Sequence, residues 1–194
     1  MTAVSVSRGA LMRVAAALSF GLLLAGCAGS PPATFDLSAA DPPDRALRTP
    51  LRIAEPIAGV DLDSDRILVR TGPQEVATLA GARWSDRLPL LVQSRLSQTF
   101  ENAGFMGVAR RENAAAKYEL DIDIRAFELD VPARRVRIDF AAKIVTPGGR
   151  PIATKVFTAD APVASTAPAA VSAALDGALS SVMAEIVNFV STRV

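Results

Sequence analysis

Apolar and polar residues alternate most regularly over Tyr118–Arg125. Tyr118, Leu120, Ile122 and Ile124 point one way, and Glu119, Asp121, Asp123 and Arg125 the other, which is the period of a half-buried strand. Ala126-Phe127 breaks the phase, predicting a bulge before Leu129 and Val131. Beyond a turn at Pro132-Ala133-Arg134, Val136, Ile138, Phe140, Ala142 and Ile144 alternate with Arg137, Asp139, Ala141 and Lys143. A second turn over Thr146–Arg150 leads into a further strand from Ile152 to Ala159. The three together read as an antiparallel meander with one charged face.

Two stretches change to helical spacing. In the first, Leu88, Val92, Leu96 and Phe100 form one stripe with Leu91 and Ala103. Asp86 is the expected N-cap, Pro89 falls in the first turn, and Gly104 is the expected left-handed stop. In the second, Val171, Leu175, Ala178, Leu179, Val182, Ile186 and Phe189 recur every three or four residues after Pro168, with Thr166 as the expected cap. This helix lacks the basic polar face of a membrane-surface helix, so it is expected to pack on a sheet. Upstream, Leu51–Ile57 alternates early and ends at Pro56, as a strand followed by a turn, while Ile67–Arg70 and Val76–Leu79 read as a hairpin ending at Ala80-Gly81. Thr34–Leu37 reads as a short edge strand and Ser38–Pro50 as a proline-rich surface loop. The expected fold is a single α/β sandwich, with a mixed sheet of about five to six strands and two main helices.

The N-terminal pattern has a different meaning. Arg8 and Arg13 precede an apolar run, Val14–Leu24, which ends in Leu24-Ala25-Gly26-Cys27. The run is about eleven residues long, too short to span a bilayer, which needs roughly twenty. It has the shape of a secretory signal peptide. Its last four residues resemble a bacterial lipobox, implying cleavage between Gly26 and Cys27 and acylation of the Cys27 thiol. The expected organisation is a signal peptide over 1–26, a lipidated cysteine with tether and edge segment over 27–49, and a domain over 50–194. Ala28, where an aspartate would retain a lipoprotein in the inner membrane, points to outer-membrane sorting.

Removing Arg8 and Arg13 with the leader leaves 19 Lys and Arg against 20 Asp and Glu. That balance offers no basic stripe for nucleic acid and no polybasic membrane patch. The chain has no histidine, and Cys27 is its only cysteine. The usual neutral-pH base, the Cys-His and Ser-His-Asp nucleophile systems and ordinary zinc sites are therefore missing. Asp61, Asp63 and Asp65 alternate as in a calcium loop, but the required glycine and distal glutamate are absent. The expectation is a protein with no catalytic or metal-binding residues and no cofactor beyond a diacylglycerol and an N-acyl chain on Cys27.

Phe35-Asp36-Leu37, Ile67-Leu68-Val69-Arg70 and Arg83-Trp84-Ser85-Asp86-Arg87-Leu88, following a lipobox, together resemble the ABC-type transport auxiliary lipoprotein component family. That family includes the paraquat-inducible membrane-integrity lipoproteins. Its most specific signature is an arginine-tryptophan pair followed by an acid and a leucine, matched here by Arg83, Trp84, Asp86 and Leu88. The resemblance implies a non-enzymatic partner of ABC transporters that carry mammalian-cell-entry (MCE) domain proteins and move phospholipid or other lipid between the inner and outer membranes. It would be lipid-anchored to the outer membrane, facing the periplasm, with permease and ATPase as separate chains. Because MCE proteins form rings, homo-oligomeric docking is implied as an option. Arg83, Trp84, Asp86 and Leu88 are either a partner-binding or a structural motif, and a tryptophan at a helix start commonly packs into the core. Two other readings remain open: a periplasmic lipid carrier, which needs a sizeable apolar cavity, and a pilotin-like envelope assembly lipoprotein.

Overall fold

In a computed structural model, residues 31–43, 45, 48–111 and 115–194 are described. The leader, Gly26 and Cys27 lie outside them. In chain order the elements are β1 (Ala33–Phe35), β2 (Leu51–Ile53), β3 (Ile57–Ala58), β4 (Arg66–Arg70), β5 (Val76–Trp84), α1 (Leu88–Asn102), β6 (Val108–Ala109), β7 (Tyr118–Asp130), β8 (Arg135–Val145), β9 (Pro151–Pro162) and α2 (Pro168–Ser191). The strands form one mixed sheet, and β7 is its axis. On one side β7 pairs antiparallel with β8, and β8 with β9. On the other side three short strands lie end to end along β7, all parallel to it: β2, β3 and β4. β5 folds back on β4, β1 adds parallel to β5, and β6 adds parallel to β2.

The expectation of about five to six strands is thus corrected: among the described residues the sheet has nine. Two of them that the sequence did not announce, β3 and β6, are only two residues long. A period of two cannot show itself over so few positions. The strand from Leu51 ends before Pro56, as expected of a residue with no N–H for the ladder, and β3 follows at Ile57. The expected bulge is present: the β7–β8 register shifts between Ile124 and Ala126. Gly81 does not end β5 but sits inside it with φ +70°, where the β4–β5 register slips.

One face of the sheet carries the core. Leu120, Ile122, Ile124, Phe127, Ile138, Phe140 and Phe157 meet the apolar stripes of α1 and α2 in a single buried cluster. α2 is long and apolar enough to cross a membrane. However, Val171, Leu175, Leu179, Val182 and Ile186 are all buried, with Phe189 edge-on to Phe157 at 5.6 Å, so it serves as a core helix.

The helix ends differ from expectation in one respect. Neither Asp86 nor Thr166 is a cap; Arg87 and Ala167 hold those positions without a side-chain bond. The Leu88 N–H donates instead to the Ser64 carbonyl at 3.0 Å, and Pro89 has no N–H to satisfy. At its other end α1 stops as expected. Gly104 has φ +82° and donates to Glu101 O, while the Phe105 N–H reaches Phe100 O at 3.0 Å. The Phe100 and Phe105 rings pack edge-to-face at 4.9 Å, completing a Schellman motif with its hydrophobic contact.

The stretch after β1 is a surface loop, as expected, and is pinned to both helices. The Ser38 N–H donates to Asp176 on α2, the Ala40 N–H to Thr99 on α1, and the Arg45 N–H to the Ala103 carbonyl. Leu37 and Ala40 are the buried apolar side chains of this strap.

Candidate functional site

Two of the three segments that carry the family resemblance, Phe35–Leu37 and Arg83–Leu88, lie far apart in sequence and meet in the fold. Phe35 pairs with Trp84 in the β1–β5 register, and the Ser85 N–H donates to the Phe35 carbonyl at 2.7 Å. Asp36 then accepts from Arg95 of α1 at 2.6 Å. This bond, with a second from the Leu37 N–H, holds the Asp36 carboxyl below its ordinary pKa against the opposing cost of burial. Phe35-Asp36-Leu37 therefore clamps the sheet edge to α1.

Within Arg83–Leu88, side chains divide by face. Trp84 is 2% exposed and meets Phe127 edge-on at 5.8 Å. Leu88 is likewise buried. Arg83 is exposed, donating to Thr34 and standing 3.7 Å from Asp65. Asp86 is exposed and accepts the Arg87 N–H. Arg87 in turn pairs with Asp63 and Glu55. The structure thus brings Arg83, Trp84, Asp86 and Leu88 together as a core anchor with a charged rim. The alternating acids of the 61–65 loop serve that rim, because Asp63 and Asp65 face arginines.

The sheet face opposite the helices carries the remaining candidate surface. Asp121 stands across from Lys143, Asp123 from Ala141, and Ala126 from Asp139, with Val156 and Thr158 next on β9. Arg52 pairs with Glu119 beside them. Burial, then the neighbouring Glu119 carboxylate, pushes the Asp121 carboxyl above its ordinary pKa. A groove of about 220 Å³ lies among Glu55, Ile57, Asp121, Asp123 and Lys143, with Ile57 68% exposed at its rim. Asp139 Oδ1 is buried on this face with no hydrogen-bond donor. The sequence marked the face as charged. It gave no sign of the exposed Ile57, because a residue in a two-residue strand has no periodicity to reveal its side.

At Glu128 the same face is locked. Arg70 of β4 grips the Glu128 carboxylate of β7 with two bonds of 2.8 and 3.0 Å, and the carboxylate is almost fully buried. Such a pair fixes geometry and is a structural feature of the strand junction.

Comparison with known proteins adds an independent observation. The family model described as ABC-type transport auxiliary lipoprotein component matches residues 35–187. An uncharacterized protein of Bradyrhizobium diazoefficiens is 31% identical over 162 residues, 80% of this chain. The matched region spans 44% of that longer protein. The crystal structure of a Xanthomonas campestris protein described under DUF330 superposes with a TM-score of 0.78 at 30% identity, covering 83% of this chain and 95% of that one. A second crystal structure of an uncharacterized protein has a TM-score of 0.68 at 12% identity, covering 83% of this chain and 99% of the other, and shares the fold.

Proposed function

We infer the function from one premise: this chain belongs to the ABC-type transport auxiliary lipoprotein component family. Its membership makes it an auxiliary component of ABC-type transport associated with the cell envelope. Beyond that, the protein docks an MCE-domain transporter that moves phospholipid or other lipid between the inner and outer membranes. It is held to the outer membrane, facing the periplasm, by acyl chains on Cys27. Permease and ATPase are separate chains, and this subunit performs no chemistry.

The observation that carries the reading is the family match across residues 35–187, from β1 into α2. The packing supports docking over carriage. Trp84, Phe100, Phe127, Phe140 and Phe157 are each at most 2% exposed and fill the space between sheet and helices where an acyl chain would have to lie. The groove beside Asp121 is instead a charged surface feature suited to a protein partner.

The direct test is mass spectrometry of lipid carried by the full-length protein purified from envelopes. Docking predicts the covalent chains on Cys27 and no stoichiometric free lipid. One phospholipid per chain would overturn docking in favour of carriage.

A further inference from the structure

The outer edge of β5 is unusual in what it lacks. Val76-Ala77-Thr78-Leu79-Ala80-Gly81 carries no charge, and all but Leu79 are exposed. Sheet edges in soluble domains are normally blunted by lysine, proline or a covering segment. β1 covers β5 only at Ala82, Arg83 and Trp84. It goes no further because Pro31 and Pro32, immediately before it, have no N–H to offer a ladder. Around the corner Val60 is 90% exposed and shares a groove of about 420 Å³ with Val76 and Ala77.

The length of chain between the expected acylation site and β1 limits how far this edge stands from the anchor. β1 runs parallel to β5, with Ala33 opposite Ala82. Six residue steps lead back from Ala33 to Cys27, and six from Ala82 to Val76. At most roughly 20 Å of chain therefore separates the acylated residue from Ala33 at the sheet edge. A tether of that reach cannot carry the domain clear of its membrane.

We propose that the uncharged edge Val76–Gly81, together with Val60, rests on the lipid headgroups of the bilayer that receives the Cys27 acyl chains. This deepens the lipoprotein reading and rests on it. The edge sits at headgroup level, not in hydrocarbon. Its unpaired N–H and C=O groups need water, which the hydrocarbon region cannot supply. The contact is a second, weak membrane signal beside the lipid, and it directs the charged sheet face and the β8–β9 turn away from the bilayer edge.

Because Cys27 is the only cysteine, a thiol introduced elsewhere is unique once Cys27 is acylated. Val76→Cys, Ala80→Cys and, on the exposed β8–β9 turn, Arg150→Cys are each labelled with a polarity-sensitive fluorophore on the full-length acylated protein. The probe surface is a vesicle of phosphatidylethanolamine and phosphatidylglycerol with headgroup-quenching lipid. Quenching several-fold stronger at Val76 and Ala80 than at Arg150 is expected, and it should fall when a long Gly-Ser segment is inserted after Ala28. Equal or absent quenching at Val76 and Ala80 overturns the proposal, as does crosslinking of Ala80→Cys to a second copy or to a partner strand. Palmitate incorporation that is lost in Cys27→Ser is measured on the same preparations. Failure of acylation would sink the lipoprotein reading itself, whereas intact acylation without quenching sinks only the membrane-facing edge.

Discussion

Trp84 shows how a family signature works as packing. Its ring fills the end of β5 against Phe127, while the adjoining Arg83 and Asp86 stay in solvent. Trp84→Ala is expected to cost about 3–5 kcal/mol in denaturant unfolding, and Trp84→Phe markedly less. Asp121 is the titrating counterpart on the other face. Its folded pKa lies above the ordinary 3.8, so its protonated form favours the fold below that value, and the contribution is lost as pH rises through the folded pKa. Asp121→Asn should raise the thermal midpoint at neutral pH and match the parent protein below pH 3.8; equal midpoints at neutral pH would contradict the assignment. Burial of Trp84 and Leu88 was legible in the sequence from their place at a helix start. The role of Asp86 was not. Whether a carboxylate caps depends on competing donors and acceptors, and here Ser64, distant in sequence, supplies the acceptor for Leu88.

At the level of elements, two junctions decide local stability. Gly104 closes α1 at a positive φ, and Gly104→Ala is expected to cost about 1 kcal/mol, read as a lower unfolding midpoint at constant slope. The Arg70–Glu128 pair ties β4 to β7. Arg70→Ala leaves a nearly buried carboxylate unpaired and should cost roughly 3 kcal/mol, whereas Arg70→Ala with Glu128→Gln should recover part of the loss. The long strands, the bulge after Ile124, the Gly104 stop and both helical stripes were readable because each spans several periods or a single residue of fixed conformational preference. β3 and β6 were not, since two-residue strands exist only through their pairing with β7 and β2. The anchoring of the loop after β1 was hidden for a related reason: its prolines describe backbone stiffness and say nothing of Thr99, Asp176 and Ala103, which hold it.

For the molecule as a whole, the organising fact is the meeting of Phe35-Asp36-Leu37 with Arg83–Leu88 at the β1–β5 edge, directly after the short tether from Cys27. No local pattern announces that meeting. It follows from a parallel register between segments 49 residues apart. Among the described residues, the helices cover one face of the sheet and mixed charge marks the other along β7 and β8. The most direct test is affinity purification of the full-length, membrane-anchored chain from crosslinked cells, with the bound proteins identified by mass spectrometry. Recovery of an MCE-domain protein together with its permease is the expected result. Recovery of secretion-machine components, or of no transporter subunit at all, would contradict the docking account.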